Sequence, residues 1–304
     1  MRAVQTQPTQ ISAVDLPRLV NDFIAQLDLS ATTRRAYCSG LKKWLAYQNG
    51  SSGLPDTRAV VAYKRHLQNQ NLSNYSTGLC LTALRMFLEY LAVNGMIAYN
   101  PAQAVRGVKR PKSRRASLTK DEADRLTALP FTHSRKDRRD KAIVWLRLFT
   151  GLRAVSIARA DISDIKQKDQ IRLLYYRGKG QDFKDSFVVL TPRVWQALEA
   201  YLKDAADQGP LFTAVNSYNR LSTRAVYDIT CRALEKAMII RNDIQPHSLR
   251  HTAITFSILG GADIAQAQQM AGHHDLETTA GYFHDIRRTA DPAENHIETY
   301  LLGK

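Results

Sequence analysis

A mainly α-helical protein with a small antiparallel β-sheet in its C-terminal domain is what three observations predict. Apolar residues recur at three- and four-residue intervals over most of the 304 residues. The period changes to alternation only after about Ile162, and a proline-containing, wholly basic stretch divides the chain near its first third. No run approaches the roughly 18 uninterrupted apolar residues of a membrane-spanning helix, so a membrane protein is excluded.

The elements follow in order. Residues 1–14 are polar and predict a flexible N-terminus. Leu16, Leu19, Val20, Phe23, Ile24 and Leu27 keep helical spacing and open a helical domain over 15–105. A second helix starts after the capping candidates Ser30 and Thr32, carries Tyr37, Leu41, Trp44 and Leu45 on one face, and stops before Asn49 and Gly50. A third covers about 56–70. A fourth follows Ser73 to Ser76, places Cys80, Leu84, Phe87, Leu88 and Leu91 on its apolar face, and ends near Asn94 and Gly95. Asn100 and Pro101 close the domain. Residues 106–118, RGVKRPKSRRASL, hold six basic and no acidic residues and read as a linker, either a solvated tether or a strap over phosphates.

The second domain, 119–304, opens with the capping box Thr119 to Glu122 and a nearly all-apolar helix, Ala142 to Phe149. Ile171 to Tyr176 and Ser186 to Leu190 read as strands around the turn Arg177-Gly178-Lys179-Gly180. Helices are expected again at about Arg193 to Ala206, Ser222 to Met238, His247 to Leu259 and Ile264 to Met270. Three scattered cysteines without a CxxC pair argue against a disulfide framework or thiolate zinc site and predict small buried fillers. The N-terminus lacks an apolar core followed by a cleavage site, which places the protein in the cytoplasm.

Charge narrows the function. There are 43 Lys plus Arg against 28 Asp plus Glu, a net +15, and both halves of the chain are positive. Such an excess suits a polyanion, with nucleic acid leading. Arg34, Arg35, Lys42 and Lys43 on the second helix, and Arg106, Lys109, Arg110, Lys112, Arg114 and Arg115 in the linker, are the candidate DNA-binding residues.

Two clusters carry candidate chemistry. In His247-Ser248-Leu249-Arg250-His251, His247 and Arg250 are three apart at a helix start and share a face that suits phosphate. His247 and His251 also have zinc-ligand spacing, but Ser248 stands where an HExxH metalloprotease needs its glutamate. The second cluster, Gly272-His273-His274-Asp275 with Thr278, Thr279 and Tyr282, taken alone also fits a DNA-binding helix-turn-helix.

HSLRH at 247–251, MAGHHDLETTAGYF at 270–283 and TGLR at 150–153 together resemble the tyrosine site-specific recombinases, or phage integrase family. The family's order is Arg, Lys, His-x-x-Arg, His or Trp, then Tyr, with the histidine nine residues before the tyrosine, as His273 and Tyr282 are here. The resemblance covers about residues 15–302. It implies a helical core-binding domain and a catalytic domain closing as a clamp on duplex DNA, with Arg153, Lys179, His247, Arg250, His273 and Tyr282 as the catalytic set and Tyr282 as nucleophile. It implies no cofactor and neither metal nor ATP. Two protomers would sit on a core site and four in a synapse, joining paired recombination sites by way of a Holliday junction. Segment 293–304 would dock into a neighbouring protomer. Where the family carries an acidic residue three after the first arginine, Ser156 stands here. A type IB topoisomerase-like relaxing enzyme and a catalytically silent DNA-binding regulator remain as alternatives.

These residues have a shared physical logic. Cutting a phosphodiester needs a nucleophile, neutralisation of charge on the non-bridging oxygens and a proton for the leaving 5′ oxygen. Tyr282 supplies the first. Arg153 and Arg250 supply the second with forked, permanently charged guanidiniums, helped by His273. Lys179, with Lys184 as a competitor on the same hairpin, supplies the third, and His247 takes the tyrosine proton.

Overall fold

The computed structural model describes residues 16–48, 55–109, 116–131, 134–178, 181, 183–203, 208–215, 217–272 and 293–303. The chain divides into two compact units, Met1–Ser113 and Arg114–Lys304. The polar start, 1–14, lies outside the described residues.

The first unit is built from α1 (Leu16–Gln26), α2 (Ala31–Gln48), α3 (Thr57–Asn69) and α4 (Asn74–Val93). Each of the last three begins where a side chain takes an orphan amide: Ser30 accepts from Thr33, Asp56 from Ala59 and Ser73 from Ser76. Ser30 therefore caps α2, and Thr32, the second capping candidate, lies inside its first turn. Trp44 and Tyr63 meet edge to face at 4.9 Å and share the core with Leu84, Phe87, Leu88 and Leu91. Among the described residues α4 is long and apolar enough to cross a membrane. An uninterrupted-run test passes over it because it carries Arg85 and Glu89, and nine of its residues are buried in this unit.

Past α4, Asn100 donates to the Arg85 carbonyl at 3.0 Å and to Glu89 at 2.7 Å, while Arg85 donates to the carbonyls of Ala102 and Val105. Lys64 then holds the Arg106 carbonyl at 2.9 Å and Asn74 the Lys109 carbonyl at 3.0 Å. The chain from Arg106 to Lys109 is thus fastened to the surface of the first unit.

Near the start of the second unit Leu118 is buried and donates its amide to Thr252 Oγ1 at 2.9 Å. The Thr119–Glu122 capping box then opens α5 (Lys120–Thr127). α6 (Arg135–Thr150) begins seven residues before the apolar run that predicted it, capped by Ser134. Its charged first half folds because Arg139 pairs with Asp140 at 2.7 Å and donates to the Thr213 carbonyl, and Arg135 lies over the Tyr201 and Tyr218 rings. The nearly all-apolar stretch 142–149, whose composition calls for burial, is not buried throughout, for Phe149 is exposed, while its one cation, Arg147, is buried.

After α7 (Ala154–Arg159), β1 (Ile165–Lys168), β2 (Ile171–Tyr176) and β3 (Ser186–Leu190) form an antiparallel sheet in the order β1-β2-β3. β1, sequence IKQK, is an additional strand with one apolar residue; lysines on an edge strand blunt pairing with other chains and hide it from alternation rules. Tyr176 pairs with Ser186 at the last rung before the hairpin turn. α8 (Pro192–Leu202), α9 (Thr223–Lys236), α10 (Ser248–Leu259), α11 (Ile264–Ala271) and α12 (Ala293–Leu302) follow. The part of the α8 expectation at 204–206 lies outside the described residues. Ile143, Leu146, Val194, Leu198, Tyr201, Phe212 and Leu249 centre the core. Cys80 is buried, whereas Cys38 and Cys231 are only half-buried, so the buried-filler expectation holds for one thiol of three.

Candidate active site

The site is assembled at the C-terminal ends of α6 and α11. α6 stops at Gly151, whose φ of +67° suits a residue without Cβ and lets its amide reach the Arg147 carbonyl at 3.1 Å. A Cβ there would lie 3.4 Å from Ala253 Cβ and 3.6 Å from Arg250 Cγ, so α10 packs directly on the cap. Leu152 is buried beside it, and Arg153 begins α7 with its carbonyl accepting the Ser156 and Ile157 amides. Ser156 is itself buried.

Arg250, 4% exposed, donates Nη1 to the Gly151 carbonyl at 2.9 Å and Nη2 to the Ala271 carbonyl. Those carbonyls end α6 and α11, where the helix dipoles are negative, so cation and acceptors stabilise one another. Tyr176 comes in from β2, 3% exposed. A Cβ on Gly272, the left-handed cap of α11, would meet its hydroxyl at 2.5 Å. Burial pushes the Tyr176 phenol up, against the pull of Arg250 and Arg153, both close enough to act on it. Burial also draws the half-buried Arg153 guanidinium downward, opposed by Tyr176. Two arginines, one from the α6–α7 junction and one from α10, thus lie within electrostatic reach of one buried phenol. His247 sits exposed at the N-cap of α10, its ring edge-on to His251 at 4.8 Å.

Residues 116–288 match the model of the phage integrase family, and residues 17–95 match that of the phage integrase N-terminal SAM-like domain. The chain belongs to the phage integrase family. The tyrosine recombinase XerD of Lacticaseibacillus casei is 30% identical over 278 residues, covering 88% of this chain and 93% of its own. A crystal structure of the site-specific recombinase XerH bound to palindromic difH substrate, a post-cleavage complex, superposes with a TM-score of 0.75 at 18% identity, covering 94% of this chain and 85% of that one. A lambda integrase tetramer bound to a Holliday junction gives 0.70 at 18% identity, covering 90% and 78%. At that identity the two structures carry the fold. Phage integrase family members break and rejoin DNA, and this chain is an enzyme of that class.

Of the six candidate catalytic residues in this integrase-family chain, Arg153 and Arg250 both act on the buried Tyr176, and His247 lies on the same helix as Arg250, exposed at its start. Lys179, His273 and Tyr282 lie outside the described residues. Lys184, the competitor of Lys179, is engaged elsewhere: its Nζ donates to Asp161 at 2.7 Å and Asp164 at 2.5 Å, and Arg220 also pairs with Asp161. These carboxylates raise the Lys184 ammonium above its ordinary value despite burial, which lowers it. Among the DNA-binding candidates, Arg34, Arg35, Lys42 and Lys43 are exposed on α2, and Arg106 and Lys109 are exposed at the end of the first unit. Arg110, Lys112, Arg114 and Arg115 lie outside the described residues.

Two residues escaped the sequence reading. Tyr176 could have been found from strand alternation, since it faces inward with Leu174 just before the glycine turn. Arg147 is the cation interrupting the apolar run 142–149. It is buried, donates to Thr230 Oγ1 at 2.8 Å and to the Pro246 carbonyl at 2.7 Å, and burial pushes its guanidinium down to about 10.

Proposed function

We propose that this enzyme is a site-specific recombinase that cuts and rejoins DNA through a 3′-phosphotyrosyl ester on Tyr282. The observation that carries the reading is Arg250, buried and fixed by two helix-end carbonyls beside Arg153, with His247 one helical turn earlier. Such a pre-set cationic pair stabilises charge as it grows on phosphate oxygens without reorganising during the reaction. In this scheme the Tyr282 phenolate attacks phosphorus, the bond to the 5′ oxygen breaks, His247 takes the phenol proton, Lys179 gives one to the departing oxygen, and His273 donates to a non-bridging oxygen. The ester conserves the bond energy, so attack by a 5′ hydroxyl from a partner strand reverses the step. The carboxylates holding Lys184 support Lys179 as the acid, because a lysine in two ion pairs is a poor proton donor. The two units would close on opposite faces of the duplex, with the basic residues of α2 and of 106–118 against its backbone.

The test is covalent trapping on a pool of nicked duplexes with randomised cores, in EDTA. The wild type should form a denaturation-resistant adduct whose DNA-bearing peptide contains Tyr282. In the same assay Lys179→Ala should slow cleavage by about 10²-fold or more, as loss of a general acid does, while Lys184→Met stays within a few-fold of wild type. An adduct on another residue, or none in the presence of binding, refutes the reading.

Assembly on DNA would be dimeric on a core site and tetrameric in the synapse, through a Holliday junction. α12 supports this, for Ile297, Tyr300, Leu301 and Leu302 are all exposed. Deleting 293–304 is expected to weaken synapsis and recombination more than binding to a single site, read by gel mobility; equal losses would remove the docking role.

A further inference from the structure

One turn of α6 lies against one turn at the start of α10, tied at both ends. Arg147 and Gly151 are four apart, as are Pro246 and Arg250. Arg147 donates to the Pro246 carbonyl at 2.7 Å, and Arg250 returns a bond to the Gly151 carbonyl at 2.9 Å. His247 lies between the two ties and heads α10, with φ −68° and ψ −21°.

Arg147 is an expensive residue for that place. It is 3% exposed, and among the described residues its Nε has no hydrogen-bond partner and no carboxylate forms an ion pair with it. Burying an unpaired cation opposes folding, and an apolar side chain of similar length would suit a core otherwise made of Ile143, Leu146 and their neighbours. Thr230 does not require it, since its hydroxyl already donates to the Val226 carbonyl at 2.9 Å. Pro246 is different. Among the described residues its carbonyl receives, besides the bond from Arg147, a long one, 3.4 Å, from the Leu249 amide. A charged donor makes a bond roughly twice as strong as a neutral one, so the guanidinium holds this carbonyl firmly.

We infer that Arg147 is a positioning residue for cleavage: by pinning the Pro246 carbonyl against α6 it fixes the backbone from which His247 presents its imidazole. The inference rests on the reading of His247 and Arg250 as parts of the cleavage machinery. A misplacement of about 1 Å at a reacting group slows chemistry by about 10²-fold without touching ground-state binding.

The experiment uses the full chain and the duplex recovered from wild-type covalent adducts, with thermal unfolding, dissociation constant and single-turnover cleavage rate measured for each variant. Arg147→Met should unfold cooperatively and bind within about twofold of wild type, yet cleave about 30-fold or more slowly, the loss for a misplacement somewhat under 1 Å. Arg147→Lys, which restores a charged donor toward Pro246, should recover most of the rate. Cleavage by Arg147→Met within threefold of wild type overturns the inference, as does parallel loss of binding and cleavage with no rescue by lysine. Should the methionine variant fail to fold, Arg147→Gln carries the same test: slowed cleavage with intact binding supports the inference, and wild-type cleavage overturns it. Tyr282→Phe separates the two levels. If it traps DNA like the wild type, or if the wild type traps none, the underlying reading fails; if it is dead while Arg147→Met is active, only the role of Arg147 fails.

Discussion

Arg250→Lys is expected to slow single-turnover cleavage by about 10²- to 10³-fold, the loss seen when a fixed donor is removed from a developing oxyanion. It should also destabilise the second unit by about 1–3 kcal/mol, the range for a buried polar group left without its partner. Both effects come from one geometry. The Arg250 guanidinium places Nη1 on the Gly151 carbonyl and Nη2 on the Ala271 carbonyl, so its planar fork spans two helix ends at once. A lysine keeps the charge but places three donors at one point, so it can satisfy one helix end and leave the other orphaned in a buried position. The thermal midpoint should drop by roughly 2–12 °C, taking 2–4 °C per kcal/mol for a domain of this size. Cleavage within tenfold of wild type on the recovered duplex would mean that charge alone matters and that the two carbonyl ties do not hold the group for catalysis.

How far the sequence reached depends on which force decided each element. Where an apolar face was buried against a neighbour, periodicity placed the helix: α1 and α4 follow Leu16-Val20-Phe23 and Leu84-Phe87-Leu88-Leu91. The boundaries came from caps, legible at Ser73 and Thr119 because the acceptor side chain stands next to the helix it starts. The same logic failed where charge did the packing. The first half of α6 is RKDRRDK, and it folds through Arg139 with Asp140 and Thr213, partners that periodicity cannot see. β1 failed because an edge strand needs only backbone pairing on one side, so three of its four residues can be polar.

The site divides in the same way. Arg153, His247 and Arg250 were legible because each sits in a short string with fixed spacing. Strand alternation marks Tyr176 as inward-facing, but what it and Arg147 do lies in contacts across 96 and 99 residues of chain: the phenol against Gly272 and the guanidinium at Pro246. No local pattern distinguishes a buried arginine tied to a distant carbonyl from one that snorkels to the surface.

Gly272→Ala is the change expected to expose the Tyr176 contact. At φ +55° an alanine meets the steric penalty of the left-handed region, about 1–2 kcal/mol. Its Cβ would also stand 2.5 Å from the Tyr176 hydroxyl. That hydroxyl cannot swing aside, since the ring is buried and fixed at the last rung of the sheet, paired across to Ser186. Overpacking of this kind adds about 1–3 kcal/mol, so the variant should lose about 2–5 kcal/mol in all. Because Gly272 immediately precedes His273, cleavage should fall as well, by about 10²-fold if the next residue moves by an ångström. The double variant isolates the clash. Tyr176→Phe deletes the hydroxyl and leaves the ring carbon Cζ at 3.7 Å, an ordinary contact. Adding it to Gly272→Ala should therefore restore about 1–3 kcal/mol, the overpacking share, and leave only the backbone penalty. Directly touching residues couple in a double-mutant cycle, whereas independent sites add within about 0.5 kcal/mol. Additive losses in thermal or denaturant unfolding of the four proteins would show that the strand carrying Tyr176 and the cap before His273 are not in register. A clear coupling would establish that β2 and the α11 cap are held against one another through the Tyr176 hydroxyl.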